Sequence, residues 1–277
     1  MFSLLLLLTQ YLSYQRYLLL KATELRELNN EASAAKQRLQ TALSYSLSTT
    51  QTLGFIVEKY GVPHDFDSVG AALMRANKFI DAVQLVEGGV ITQVYPLKGN
   101  EVVIGFDILK DTTRNSGALH AIETKKFFWA GPFELKQGGV GIVGRQPLYK
   151  NGKFRGFSAV IIRLSTFLNA VGIDSNSNNG FTYQLSRLSR DRKQEIPFFS
   201  NQNFQKNTRS VSIEVPDVEW KLYVSQKSKP TLFFAITFSF LGLILSITGG
   251  LLSWFMARQP AQLNKLVEEK AAAFLAS

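Results

Sequence analysis

Cysteine is missing from all 277 residues, and histidine occurs only twice, as His64 and His120. The first absence removes disulfides, thiolate metal sites and cysteine nucleophiles, and it is compatible with a bacterial periplasm where the fold manages without covalent staples. The second leaves no histidine pair at a zinc-ligand spacing such as HExxH. The sequence also lacks a GxSxG elbow and a GxxxxGK[ST] phosphate loop, and nothing places a base beside a nucleophile. No catalytic residue, metal or cofactor is therefore expected here, and both histidines read as ordinary surface or helix residues. Charge is not gathered either. The net charge of +10 is spread along the chain instead of forming one Lys/Arg block with interleaved aromatics, which argues against nucleic acid. A basic face suits anionic lipid or an anionic ligand, and equally a merely soluble surface.

One long absence is informative in itself. From Thr231 to Phe255 the chain reads TLFFAITFSFLGLILSITGGLLSWF without a charged side chain, where about twenty apolar residues suffice to cross a bilayer as a helix. Lys227, Lys229 and Pro230 precede it, Trp254 and Phe255 sit at its far end, and Arg258 follows, so anchoring residues bracket the run. A buried core helix of that length would carry a polar face. The chain also starts apolar, MFSLLLLL, and stays weakly so to Leu20. Eight pure apolar residues are too few to span. With no basic n-region and no small-x-small cleavage site, the second half of a first membrane helix (1–20) is favoured over a signal peptide. Two spans would place residues of about 21–229 outside the cytoplasm, in the periplasm or extracellular space.

Between Arg16 and Tyr60 there is no proline, and the only glycine is Gly54. Leu25, Ala32, Leu39 and Leu53 fall at one heptad position and Leu28, Ala35, Ala42 and Ile56 at another, with Ser46 and Thr49 as polar fillers. This predicts one long helix, 21–61, stopped by Gly61 and Pro63. Its narrow alanine-rich seam suits a homodimer contact better than packing on its own domain.

After Pro63 the pattern becomes short strands and glycine turns. Expected are a helix over Asp67–Ala76 capped by Ser68 or Asp67, strands over Phe79–Glu87, Val90–Tyr95 and Val102–Ile108, and a helix capped by Thr112 or Thr113 running to Lys126. Strands over Phe127–Leu135, Val140–Tyr149 and Arg155–Arg163 follow, the last two joined by the Asn151-Gly152 turn. The fold class is α+β. The tail from Met256, with QLNKLVEEKAAAFLAS after Pro260, reads as the start of a helical linker leading toward further cytoplasmic domains.

The runs ITQVYPLKGNEVVIGFDIL (Ile91–Leu109) and WAGPFELKQGGVGIVGRQPLYKNGKFRGFSAVIIRL (Trp129–Leu164) resemble the CHASE domain, the extracytoplasmic sensor of bacterial diguanylate cyclases and histidine kinases and of plant cytokinin receptors. The matching features are Tyr95-Pro96, the Gly99-Asn100-Glu101 turn, Gly105 and Asp107, Pro132-Phe133 with Leu135, and Pro147 with Tyr149. The resemblance implies a long N-terminal helix followed by two PAS-like antiparallel sheets, plus the C-terminal transmembrane helix. A membrane-distal subdomain (62–163) would bind a small molecule. A membrane-proximal one (164–229) would begin with a connecting helix over Leu164–Val171 and carry strands at Phe181–Ser186, Val211–Val215 and Trp220–Val224. The transmembrane helix (231–255) and a linker (256–277) complete the layout.

In such a sheet a ligand lies between the concave face and its covering helix and loops. Candidate ligand-binding residues are Tyr95, Asp107, Arg114, Trp129, Phe133, Arg145 and Tyr149. Asp107 and Arg145 are the most informative, because each is a charge inside an apolar run, costly unless paired or engaged by ligand. For the two, ligand contact stands level with a structural role, either a buried salt bridge or a strand face open to water; Trp129 is more often core than platform, and for Tyr149 the two readings are level. Plant receptors place a hydroxyl residue before the Pro-Phe element. Ala130-Gly131 stands there instead, which speaks against cytokinin. The residues thus suggest a membrane receptor module that binds a small molecule of unknown class and signals to a cyclase or kinase domain. The alternative is a scaffolding domain that tethers a protein partner and transmits nothing.

Overall fold

The computed structural model describes residues 2–112, 115–173, 180–188, 194–202, 204, 210–215, 218–226 and 231–275. They fall into two compact units, Met1–Glu27 with Ser228–Ser277, and Leu28–Lys227.

The larger unit is assembled on helix α1 (Phe2–Tyr60). After α2 (Phe66–Ala76), strands β1 (Ala82–Glu87), β2 (Val90–Tyr95), β3 (Phe128–Glu134), β4 (Val140–Lys150) and β5 (Lys153–Arg163) form an antiparallel sheet in the order β2-β1-β5-β4-β3. Helix α3 (Ser116–Thr124) precedes β3, and α4 (Leu164–Ala170) leads out of β5. A second antiparallel sheet, β7-β6-β9-β8, is built from β6 (Phe181–Leu188), β7 (Glu195–Ser200), β8 (Ser210–Val215) and β9 (Trp220–Gln226).

Local chemistry accounts for most boundaries. Asp65 caps α2 by accepting from the Ser68 backbone N–H at 3.0 Å, so the cap lies earlier than expected and Ser68 is its donor. Asn151 and Gly152 both take positive φ, 54° and 75°, as a two-residue hairpin turn demands. The expected strand Val102–Ile108 does not form. Glu101–Val103 is a single 3-10 turn, and only a bridge from Asp107 to Val90 remains of the pairing, because Gly105 at φ 81° turns the chain out of line. Strand β1 begins at Ala82 rather than Phe79, and α3 is flanked by Asn115 rather than by Thr112. Thr113 and Arg114, and the loop 174–179, lie outside the described residues. Strand β7 arises where only loop was expected. Its segment EIPFFS carries a proline and sits at a sheet edge, where a missing N–H is tolerated.

The heptad seam of α1 is occupied by the chain itself. Leu28, Ala32, Ala35, Leu39, Ala42 and Leu53 are all buried in one cluster with Val83, Ile142, Val160 and Ile162 of the first sheet and Tyr183, Leu185, Trp220 and Leu222 of the second. The expectation of a dimer contact along this seam is therefore corrected: alanines keep the helix close to two sheets, not to a second copy. Leu25, expected in the seam, is exposed. Polar ties reinforce the packing. Arg38 donates to Glu31 at 2.7 Å and to the Val171 carbonyl at 2.7 Å, while Tyr183 donates to Glu31 at 3.0 Å.

In the other unit, the first turns of α1 meet α5 (Thr231–Leu275) through small and polar groups. Gly242 faces Thr9 and Gly249 faces Leu5, so closely that a Cβ at either position would stand within 3.2 Å of that side chain. The Ser13 hydroxyl donates to the Ala235 carbonyl, and Gln10 and Ser239 exchange hydrogen bonds. Large apolar side chains such as Leu4, Leu7, Phe233 and Leu241 are left exposed. Close contact through small residues with hydrogen bonds between helices, and an apolar exterior, is how helices pair in lipid. Phe233–Pro260 is long and apolar enough to cross a membrane. Helix α5 runs on through Pro260 instead of ending near Phe255.

Because the α1 seam is core, Leu39→Ala should lower unfolding stability by about 2–5 kcal/mol. Ala35→Lys should abolish cooperative unfolding altogether. Circular dichroism melts of the full chain in detergent measure both, and an unperturbed melt for Ala35→Lys would contradict the buried seam.

Candidate functional site

Successive side chains of a strand alternate between the two faces of its sheet. On the first sheet, Val83, Leu85, Ile142, Val160 and Ile162 face α1, while Ala82, Val86, Val143, Phe157, Ala159 and Ile161 form a separate cluster on the opposite face with Ala118 and Ala121 of α3. Pairing places Gln84, Ala159 and Arg145 in one row across β1, β5 and β4. Ala159, between them, is small and buried on this face. A cavity of about 40 Å³ lies there, lined by Gln84 and Arg145 together with Ile91, Val103, Phe106 and Phe133.

Arg145 is the anomaly of the fold. It is 5% exposed, its Nη1 has no hydrogen-bond partner, and no carboxylate pairs with it among the described residues. Burial pulls its pKa well below the usual guanidinium value, to about 10. That corresponds to a native-state cost on the order of 3 kcal/mol for keeping the charge. The lost stability persists at every pH below about 10, where native and unfolded chains both hold the proton. It is recovered as pH rises above about 10 toward the ordinary guanidinium value, because the native state releases the proton first.

Two segments cover the cavity. The stretch from Glu101 to Ile108 is pinned along β2 by backbone bonds, Ile91 N–H to Phe106 O at 3.0 Å and Gly105 N–H to Ile91 O at 2.9 Å. The turn after β3, closed by the Leu135 N–H to Gly139 O bond at 2.8 Å, meets it from the other side. Lys136 of that turn lies 4.8 Å above the Phe106 ring and joins the two covers. At about 40 Å³ the cavity admits water or a very small molecule. A larger ligand requires the two covers to part.

Of the residues singled out from the sequence, Arg145 and Phe133 line this cavity. Asp107 does not pair with Arg145. Its carboxylate accepts from the Leu109 and Lys110 amides and pairs with Lys110 at 3.2 Å, so it shapes the cover loop. Partial burial pushes the Asp107 carboxyl up, but the Lys110 ammonium and the two amides leave it below its ordinary value. Tyr95 lies on the α1 side, so close to Gly70 that a Cβ there would come within 2.5 Å of the Tyr95 Cβ. Trp129 is on that side too, stacked edge-on against Phe127 at 4.9 Å. Tyr149 donates to the Ile122 carbonyl at 2.9 Å and ties β4 to the end of α3, and burial raises its pKa. Arg114 lies outside the described residues. Sequence reasoning missed Gln84, although it is the single polar residue within AVQLV, and it missed Lys136 and Phe106, which only the tertiary fold brings together.

A larger cleft, about 590 Å³, opens between Gln137–Val140, Arg163–Ser165 and Phe199. It is open to solvent and holds no buried charge without a partner among the described residues, so the smaller cavity is the candidate site.

Two antiparallel sheets strung on one long helix are the architecture of extracellular sensor domains. It is shared with an extracellular ligand binding receptor from Desulfohalobium retbaense (TM-score 0.57, 17% identity, 72% of this chain and 40% of that one). It is also shared with an extracellular domain assigned to the histidine kinase soHK1S-Z6 (TM-score 0.55, 14% identity, 76% and 97%). A third such structure is the ligand-binding domain of the Pseudomonas fluorescens chemoreceptor CtaA with L-leucine (TM-score 0.56, 15% identity, 76% and 97%). This chain thus spans less than half of the first of these structures and nearly all of the other two. A search of curated protein sequences finds no match. The sequence pattern of the CHASE domain matches residues 40–198, more than half of the chain, and the chain belongs to that family.

Replacing Arg145 by methionine removes the charge and keeps most of the volume. The ligand-free variant should melt higher than the parent, by about 2–4 °C for each kcal/mol regained. The gain should be constant below about pH 10 and shrink progressively in melts at higher pH, as the native parent begins to lose the charge.

Proposed function

We propose that the unit from Leu28 to Lys227 is the extracytoplasmic ligand-sensing region of a membrane receptor, with α5 as its transmembrane helix and the first residues of α1 as part of another. A small molecule binds in the first, membrane-distal sheet between Gln84 and Arg145. The second sheet, membrane-proximal, passes the change to α5 and to a cytoplasmic output of the cyclase or kinase type. The observation that carries this reading is the buried, unpartnered guanidinium facing a cavity: a charge held at such cost finds its natural partner in a ligand. The CHASE match and the sensor architecture support it. A scaffold that merely tethers a protein has no use for a strained cation inside its sheet. Pairing of two receptor copies would use the face of α1 turned away from the seam, where Phe55 remains exposed.

The test is thermal denaturation of the full chain in detergent against purines, amino acids, carboxylates and small aromatics. A ligand at a hundred times its dissociation constant should stabilise the fold by about 2.7 kcal/mol. The shift should disappear in Arg145→Met. A shift that survives the substitution would place the site elsewhere, and silence across the library from folded protein would sink the small-molecule reading.

A further inference from the structure

We infer that the ligand of the Arg145 cavity is a small monocarboxylate with an apolar body and no ammonium group, held by its carboxylate on Arg145. The inference rests on the reading of this cavity as the sensing site.

Four polar side chains reach the lining, Arg145, Gln84, Lys136 and Gln137, and none of them is acidic. Everything else there is aliphatic or aromatic, from Val86 and Ile161 on the sheet to Val103 and Phe106 on the cover. Of the acids next to lining residues in sequence, Asp107 has its carboxylate engaged by Lys110 and two amides, and the exposed Glu87 accepts from the Thr92 hydroxyl. Glu101 and Glu134 flank the covers at exposed positions. An α-ammonium group entering this space would lose its water beside two cations with no carboxylate to receive it, a desolvated like-charge placement. A carboxylate entering the same space gains what Arg145 lacks, because the guanidinium offers a forked pair of N–H donors matched to two oxygens and Nη1 is unused. Gln84, one residue across the row, adds a neutral donor on the opposite flank. The volume sets the scale. About 40 Å³ accepts the carboxylate and little more, so the apolar body of the ligand must wedge between the Phe106 and Lys136 covers and part them. Binding and opening are then one event, which is what a sensor requires of its ligand.

The lining also separates this chain from sensors of the same architecture whose structures hold L-leucine, L-glutamine or L-arginine. Those ligands carry an ammonium group; the cavity described here has no place for one.

The experiment uses the full chain in detergent and a matched series: acetate, propionate, 3-methylbutanoate and 4-methylpentanoate as carboxylates, 4-methylpentanamide as the uncharged isostere, and L-leucine as 4-methylpentanoate with an ammonium added. Thermal shift and calorimetric titration are the readouts. Saturable stabilisation by one or more of the carboxylates is expected. The amide and L-leucine should bind at least tenfold to a hundredfold more weakly, the loss of one charge-assisted pair. Arg145→Met should abolish the shift, and Arg145→Lys, which keeps the charge but loses the fork, should weaken binding about tenfold. Equal or tighter binding of L-leucine or the amide would overturn the carboxylate inference. If their binding still depends on Arg145, the sensing site itself stands. Carboxylate shifts that persist in Arg145→Met would overturn both, and silence from the carboxylates while another compound class shifts the melt through Arg145 would overturn the ligand class alone.

Discussion

Burial of one face of α1 is the constraint on which the sensor unit depends. From Leu28 to Leu53 that face carries small or aliphatic side chains, and both sheets bury their inner sides against it in a single continuous cluster. The first sheet packs its other face on α3 and the segment after β2, while the second sheet also meets α4 through Phe167 against Trp220. The helix therefore fixes where both sheets stand. Any rearrangement of the first sheet that moves its inner face is felt along α1 and, through Leu39 and its neighbours, by the second.

The polar contacts give that transmission definite points. Ala159 sits between Gln84 and Arg145, and the next residue back on β5, Ser158, points through to the other face and donates to the Thr50 carbonyl of α1 at 2.9 Å. Gly54 lies against Ser158 at a distance that leaves a Cβ in close contact, so helix and strand are nearly touching there. The same part of α1 carries Ser46, Thr49 and Thr50, whose hydroxyls all bond back to carbonyls four residues earlier. Such back-bonding softens and bends a helix. Four turns nearer the N-terminus, Glu31 and Arg38 hold Tyr183 and the Val171 carbonyl. A single helix is thus pinned to β5 of the first sheet at one place and to the second sheet at another, with a compliant stretch next to the first.

The legible parts of the sequence were those with strong local chemistry. Strand β2, the Asn151-Gly152 hairpin and the long apolar run of α5 declare themselves through periodicity, turn residues or sheer length, while α4 is expected only from the resemblance to the CHASE domain. What misled was direction. A heptad rhythm reports that one helix face is buried and not what buries it, so the Ala32 and Ala35 seam read as a dimer contact when it faces its own sheets. The site was half legible for the same reason. A lone arginine in VGRQP announces a special position, yet its partner could not be inferred from spacing; Asp107 looked suitable and is used in a turn instead. Tyr95 and Trp129 are aromatic residues of the right strands on the wrong side, since one step along a strand reverses the face.

The arrangement also explains why an expensive side chain is kept. If Arg145 were paired with a carboxylate of the chain, the sheet would be more stable and the cavity silent, because a ligand would have to displace a partner already in place. Left unpaired, the guanidinium raises the free energy of the empty state and leaves the bound state untouched. A ligand that completes it gains that difference as affinity, and the part of its body that does not fit within about 40 Å³ directs the gain into separating Phe106 from Lys136. A conformational response needs a ligand that prefers one arrangement over the other. At the proposed site that preference would come from the unpaired charge of Arg145 and from the contact of Phe106 with Lys136 that a larger ligand disturbs.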